Sequence, residues 1–220
     1  MFAGVPPIVS LGTNKLQSLL CEFSASLLFF RKSEHKFSGI RLGMVFTFLG
    51  ATTGTFLLAR TNVGALKILV PYLLLAVFLY NIFSKRKASA ISEQNSIAQQ
   101  NQTRLALLGI CIGFYNGFFG PGTGTLWTIA LMRQLRLGIR AATIYTKPLN
   151  LIGNLSALFM FGATGQLNIK VGAMMAVGSI TGGLLGAHFV MYKDVRWLKI
   201  LFNTFMALSV LGAFYHSFVQ

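Results

Sequence analysis

Five apolar runs of about 20 residues, at 39–59, 65–83, 142–162, 171–191 and 197–218, are each long enough to cross a hydrocarbon core of about 30 Å as a helix. Such runs narrow the fold more than any motif does, because lipid offers no partner to backbone N–H and C=O groups and an uninterrupted helix satisfies them internally. With 54% apolar and 10% charged residues, the expected class is an all-α polytopic membrane protein in a lipid bilayer. The net charge of +15 invites a nucleic-acid partner, but the basic residues cluster between the runs, as orientation-setting loops do, so no nucleic acid is expected. Cys21 and Cys111 lie in apolar stretches and read as small buried hydrophobes. Metal-ligand spacing, a phosphate loop and a nucleophile–base pair are absent from the sequence, so neither an enzyme, a cofactor nor a metal is expected.

One stretch breaks the pattern. Residues 113–127 read GFYNGFFGPGTGTLW, in which Gly120-Pro121-Gly122-Thr123-Gly124 interrupts apolar sequence. Proline removes a donor and glycine admits positive φ, so a helix should stop near Gly120 and a new one start near Thr125. A freed backbone at membrane depth survives only inside protein or beside a water-filled cavity, and a new helix N-terminus there suits an anion. Gly182, Gly183 and Gly186 read instead as close helix packing.

The two halves of the chain match. The alignment that lays Lys15 on Lys147 also lays Leu19 on Leu151, Ser24-Ala25 on Ser156-Ala157 and Leu66-Lys67-Ile68-Leu69 on Leu198-Lys199-Ile200-Leu201. The expected organisation is a first repeat at 1–83, a polar cytoplasmic linker at 84–103, and a second repeat at 104–220. The first repeat lacks the glycine-rich leading helix that the second has. If the broken segment dips in and returns, Arg133, Arg136, Arg140, Lys193, Arg196 and Lys199 join the basic loops at 31–41 and 85–104, leaving Arg60, Lys67 and Lys170 opposite. That asymmetry fits the positive-inside rule, so two inverted repeats with a re-entrant broken helix are expected, the basic loops being cytoplasmic.

Lys15 and Lys147 fall outside those loops at equivalent places. A lysine at bilayer depth costs about 2.5 to 3.5 kcal/mol on insertion scales, so a repeated one needs a reason. Either each snorkels to the interface, or the two flank an anion site. Asn14, Gln17, Ser18, Glu22 and Ser26, and Asn150, Asn154 and Ser156, include sets spaced three and four apart. Glu22 is the one carboxyl within an apolar run and a candidate for proton coupling, or else for a salt bridge to Lys15 two turns away. Asn116 is the remaining polar group beside the break.

The run at 113–127, with Thr13-Asn14-Lys15-Leu16-Gln17-Ser18 and Thr146-Lys147-Pro148-Leu149-Asn150, resembles the sulfite exporter TauE/SafE family of bacterial membrane transporters, in its branch of permeases without an assigned substrate. The resemblance covers nearly the whole chain. It implies an inner-membrane secondary transporter exporting sulfite, sulfonates or related small organic anions. On this expectation the substrate lies near Gly120, Gly122, Thr123, Gly124 and Asn116. Lys15 and Lys147 neutralise it, Asn14, Asn150 and Asn154 orient it, and Glu22 couples a proton. Two departures stand out: close relatives often carry an acid where this chain has Asn116, and they begin with a glycine-rich helix ahead of Pro6-Pro7. The second motivates a rival expectation, a non-transporting membrane protein that is a truncated or decayed exporter or an assembly partner.

Overall fold

The computed structural model describes residues 7–33, 37–61 and 102–193, with single or few positions at 72, 196–198, 200–201, 204 and 208. The order is α1 (Pro7–Lys32), a 3-10 turn (Phe37–Ile40), α2 (Arg41–Ala59), α3 (Gln102–Phe118), α4 (Thr123–Gln134), α5 (Ile139–Ala163) and α6 (Ile169–Tyr192). Among the described residues there is no strand. The runs at 39–59, 142–162 and 171–191 correspond to α2, α5 and α6. The runs at 65–83 and 197–218 and the linker at 84–103 fall, but for a few positions, outside the described residues.

Local chemistry explains most boundaries. Pro7 stands in the first turn of α1, where its missing N–H costs nothing, so Asn14 and Lys15 already lie within the helix. Asn168 caps α6 by accepting the Val171 N–H at 3.0 Å, and its own N–H donates to Thr13 Oγ1 at 3.0 Å, which ties the start of α6 to α1. Pro148 sits inside α5 and leaves the Ile144 carbonyl without its intrahelical donor.

α5 is the central post, packed on α1, α2, α3 and α4, while α6 lies chiefly on α1. The contacts α1–α5, α1–α6, α2–α3 and α2–α5 each join an element of one half of the sequence to an element of the other. The most extensive contact is between α2 and α3. It is a seam of small residues from both sides. A Cβ added to Gly113 would stand 2.9 Å from Thr47 Cα, one on Gly117 2.8 Å from Ala51 Cα, and one on Gly50 2.9 Å from the Phe114 nitrogen. Backbone meets backbone along this line, as in close membrane helix pairs. Thr55 Oγ1 adds a bond to the Gly117 carbonyl at 3.1 Å. Of the three glycines in α6 assigned to packing, Gly183 does meet α1, at the Cys21 carbonyl carbon and Ser24 Oγ, whereas Gly182 and Gly186 have no neighbour among the described residues.

Burial is inside out relative to a water-soluble domain. Phe23, Phe30, Val45, Phe48, Phe56, Phe159, Met174, Val177 and Leu185 are exposed, whereas Lys15, Glu22, Thr47, Asn116, Asn150, Asn154 and Ser156 are buried. Apolar side chains outward and polar ones inward suit a hydrocarbon solvent. By length and composition, α2 and α6 can each cross a membrane. α1 and α5 are longer still, at 26 and 25 residues, but carry the polar side chains that face the interior. Cys111 departs from expectation, since it is exposed on α3 rather than buried.

Candidate anion site at the broken helix

The break forms as the glycines and proline dictate. α3 ends at Phe118 and α4 starts at Thr123, with Gly120 at φ 92° and Gly122 at φ 81°, both in the left-handed region that suits glycine. The second helix begins two residues before the expected Thr125, because the Thr123 N–H already reaches the Gly120 carbonyl at 3.1 Å and its hydroxyl bonds the same oxygen. Tyr115 fastens the loop by donating its hydroxyl to the Pro121 carbonyl at 2.7 Å.

The turn frees a carbonyl, and a cation takes it. The Gly120 N–H turns to the Tyr115 carbonyl at 3.1 Å, so Asn116 C=O lacks the donor a continuing helix would supply. Lys15 Nζ donates to that oxygen, to Asn116 Oδ1 at 2.8 Å and to Asn154 Oδ1 at 3.4 Å. Its residue is 2% exposed, so Lys15 does not snorkel to the surface. The ammonium sits where the negative end of α3 and the positive end of α4 approach each other. Among the described residues no carboxylate pairs with it.

A cavity of about 200 Å³ opens beside this ammonium. Asn14, Lys15, Ser18 and Glu22 of α1 line one wall, Asn150 and Asn154 of α5 another, and Asn116 with Gly120 to Gly124 the third. Every candidate site residue named from the sequence except Lys147 borders this space. Lys147 points instead to Glu22, with Nζ 3.2 Å from Oε2 and 3.4 Å from Oε1. Asn150 Nδ2 supports the same carboxylate at 3.5 Å. The alternative salt bridge from Glu22 to Lys15 is therefore not the one formed. The reason is the register of α1 against α5, which sets Glu22 beside Lys147 while the break holds Lys15. Asn116 Nδ2 and Asn150 Oδ1 are buried without a protein partner.

Two contributors, Tyr115 and Gly153, do not stand out in the sequence, and a third, Pro121, stands out there for a different role. Tyr115 gave no signal, since an aromatic in an aromatic run looks like core. Pro121 was read as a breaker and not as a wall. Gly153 makes room for the Asn116 amide, because a Cβ there would collide with Nδ2, and it was hidden in the apolar run of α5.

The arrangement defines a class: a helical membrane protein with a polar, cation-bearing cavity at a broken helix, the architecture of a membrane transporter. The family model described as sulfite exporter TauE/SafE matches residues 1–213, and the chain belongs to that family. A protein of Haemophilus influenzae named "Probable membrane transporter protein" is 36% identical over 203 residues, 90% of this chain and 77% of that one. A Sinorhizobium relative, "Probable membrane transporter protein ORF9", is 33% identical over 91% of this chain and 76% of its own length. The Escherichia coli K12 "Probable membrane transporter protein YfcA" is 29% identical over 90% and 73%. No solved structure matches the chain. The protein is thus a multi-pass α-helical membrane transporter for a small molecule.

Proposed function

We propose that the transporter exports small sulfur-containing anions, sulfite or sulfonates, across the bacterial inner membrane as a secondary carrier. The observation that carries this reading is the buried Lys15 ammonium, which borders the cavity with three neutral acceptors and no carboxylate partner among the described residues. An anion entering the cavity supplies the missing countercharge. It takes the place of the long Asn154 bond and meets the α4 N-terminus and the unpartnered Asn116 Nδ2. Asn14 and Asn150 orient it from the walls. Glu22 is the carboxyl placed to exchange a proton, and Lys147 acts through Glu22 and not on the substrate directly.

Alternating access follows from two inverted repeats rocking about this site, with the broken segment re-entrant and the basic loops cytoplasmic. The helix lengths support the re-entrant path: 12 residues make α4 about 18 Å long, short of a hydrocarbon core of about 30 Å. The test is efflux of labelled sulfite and methanesulfonate from proteoliposomes. Wild-type protein should release them, and Lys15→Ala, although it still inserts, should do so at least about 10-fold more slowly at sub-saturating concentration. Efflux from Lys15→Ala at the wild-type rate removes the site from this reading.

A further inference from the structure

We infer that the cavity accepts a singly charged anion and discriminates against a doubly charged one, and that Glu22 is the residue that sets this preference. The inference rests on the anion-transport reading above and goes beyond it by fixing the charge class of the substrate.

The full charges at the cavity decide which anion it holds. Among the described residues that line it, Lys15 and Glu22 are the ionisable groups. The Glu22 carboxylate is already neutralised by Lys147 at 3.2 Å. What remains is one positive charge. The sequence's other acids, Glu34, Glu93 and Asp194, lie outside the described residues.

Desolvation makes that count matter. A buried charge without a counterion is strongly disfavoured, so a ligand that matches the charge left over at the site is held best. A monoanion completes the pairing with Lys15. A dianion brings a second charge that no cation among the described lining residues is free to meet, and it faces the Glu22 carboxylate across a space of about 200 Å³. Lys147 can turn toward it only by leaving Glu22 unpaired at 8% exposure. The remaining donors, Asn116 Nδ2 and the first turn of α4, hold oxygens by dipoles and add no full charge.

Methanesulfonate and sulfate test this, because they are tetrahedral oxyanions of similar size that differ by one charge. Both labelled probes are followed in counterflow in proteoliposomes with no proton gradient imposed. Wild-type protein should exchange methanesulfonate at least about ten-fold faster than sulfate. Glu22→Gln leaves Lys147 unpaired and raises the count to two, so the ratio should fall about ten-fold or invert. The double variant Glu22→Gln with Lys147→Gln returns the count to one and should restore the wild-type ratio. Should the single variant fail to insert, the wild-type ratio and the double variant decide. Equal exchange of both probes by wild-type protein overturns the inference while leaving anion transport standing, as does a double variant with the ratio of Glu22→Gln. Exchange of neither probe by the wild type overturns the anion-transport reading and this inference with it.

Discussion

The ammonium of Lys15 closes the end of α3: the turn at Gly120 sends its own N–H to Tyr115, and the Asn116 carbonyl left over is taken by Lys15. One side chain therefore both seals a helix end and offers charge to a ligand. Hydrogen bonds to charged groups contribute about 1.5 to 3 kcal/mol, so Lys15→Met should weaken anion binding by about 10- to 100-fold, read as the half-saturating concentration for sulfite efflux. Gly120→Ala tests the turn itself. Its φ of 92° strains any Cβ, and that Cβ would also press on the Lys15 side chain, so the variant should lose about 1 to 3 kcal/mol in detergent unfolding and bind anion more weakly. Lys15, Asn116 and Glu22 were legible in the sequence because a polar group in an apolar run needs a reason. Their partners were not. Spacing along one helix suggested Lys15 for Glu22, whereas the pair is made between helices, and the register that makes it depends on side-chain packing that no single run displays.

At the scale of elements, the sequence foretold the interruption between α3 and α4 to within two residues, since glycine and proline act locally. It was less informative about which helix lies on which. Gly113 and Gly117 belong to the stretch singled out for its break, yet with Gly109 they recur every four residues and form the seam with α2. Gly182 and Gly186, assigned to packing, face open space among the described residues. A stripe of small residues states that close approach is allowed and does not name the partner. Gly117→Leu should drive a side chain into the Ala51 backbone, costing about 1 to 3 kcal/mol from overpacking. The expected readout is a lower unfolding midpoint in detergent and loss of efflux, since the seam also positions the end of α3. A midpoint equal to the wild type would show that α2 and α3 do not depend on this contact.

For the whole molecule, composition and run length already name a helical membrane protein, while the outward apolar faces and the inward polar wall are read from the structure. The pairing of α2 with α5 and of α1 with α6 joins the two halves, and it needed coordinates to be seen. Rocking of one half against the other must shear those contacts. Thr52 on α2 and Ser156 on α5 touch through their hydroxyls at 2.7 Å. In a background without Cys21 and Cys111, a Thr52→Cys, Ser156→Cys pair should cross-link under oxidation, halt efflux, and recover when reduced. Unchanged efflux with the bridge intact would show that these helices do not separate during turnover. The glycine seam carries a mechanical corollary. Two rods in backbone contact along several turns have no slack to slide past each other, and α2 belongs to the first half while α3 belongs to the second, so any rocking of the halves would pivot about this seam, with the rim of the binding pocket beside the axis. On that proposal the opening would fall on the opposite side, where α1 and α5 meet through side chains such as Glu22 and Lys147.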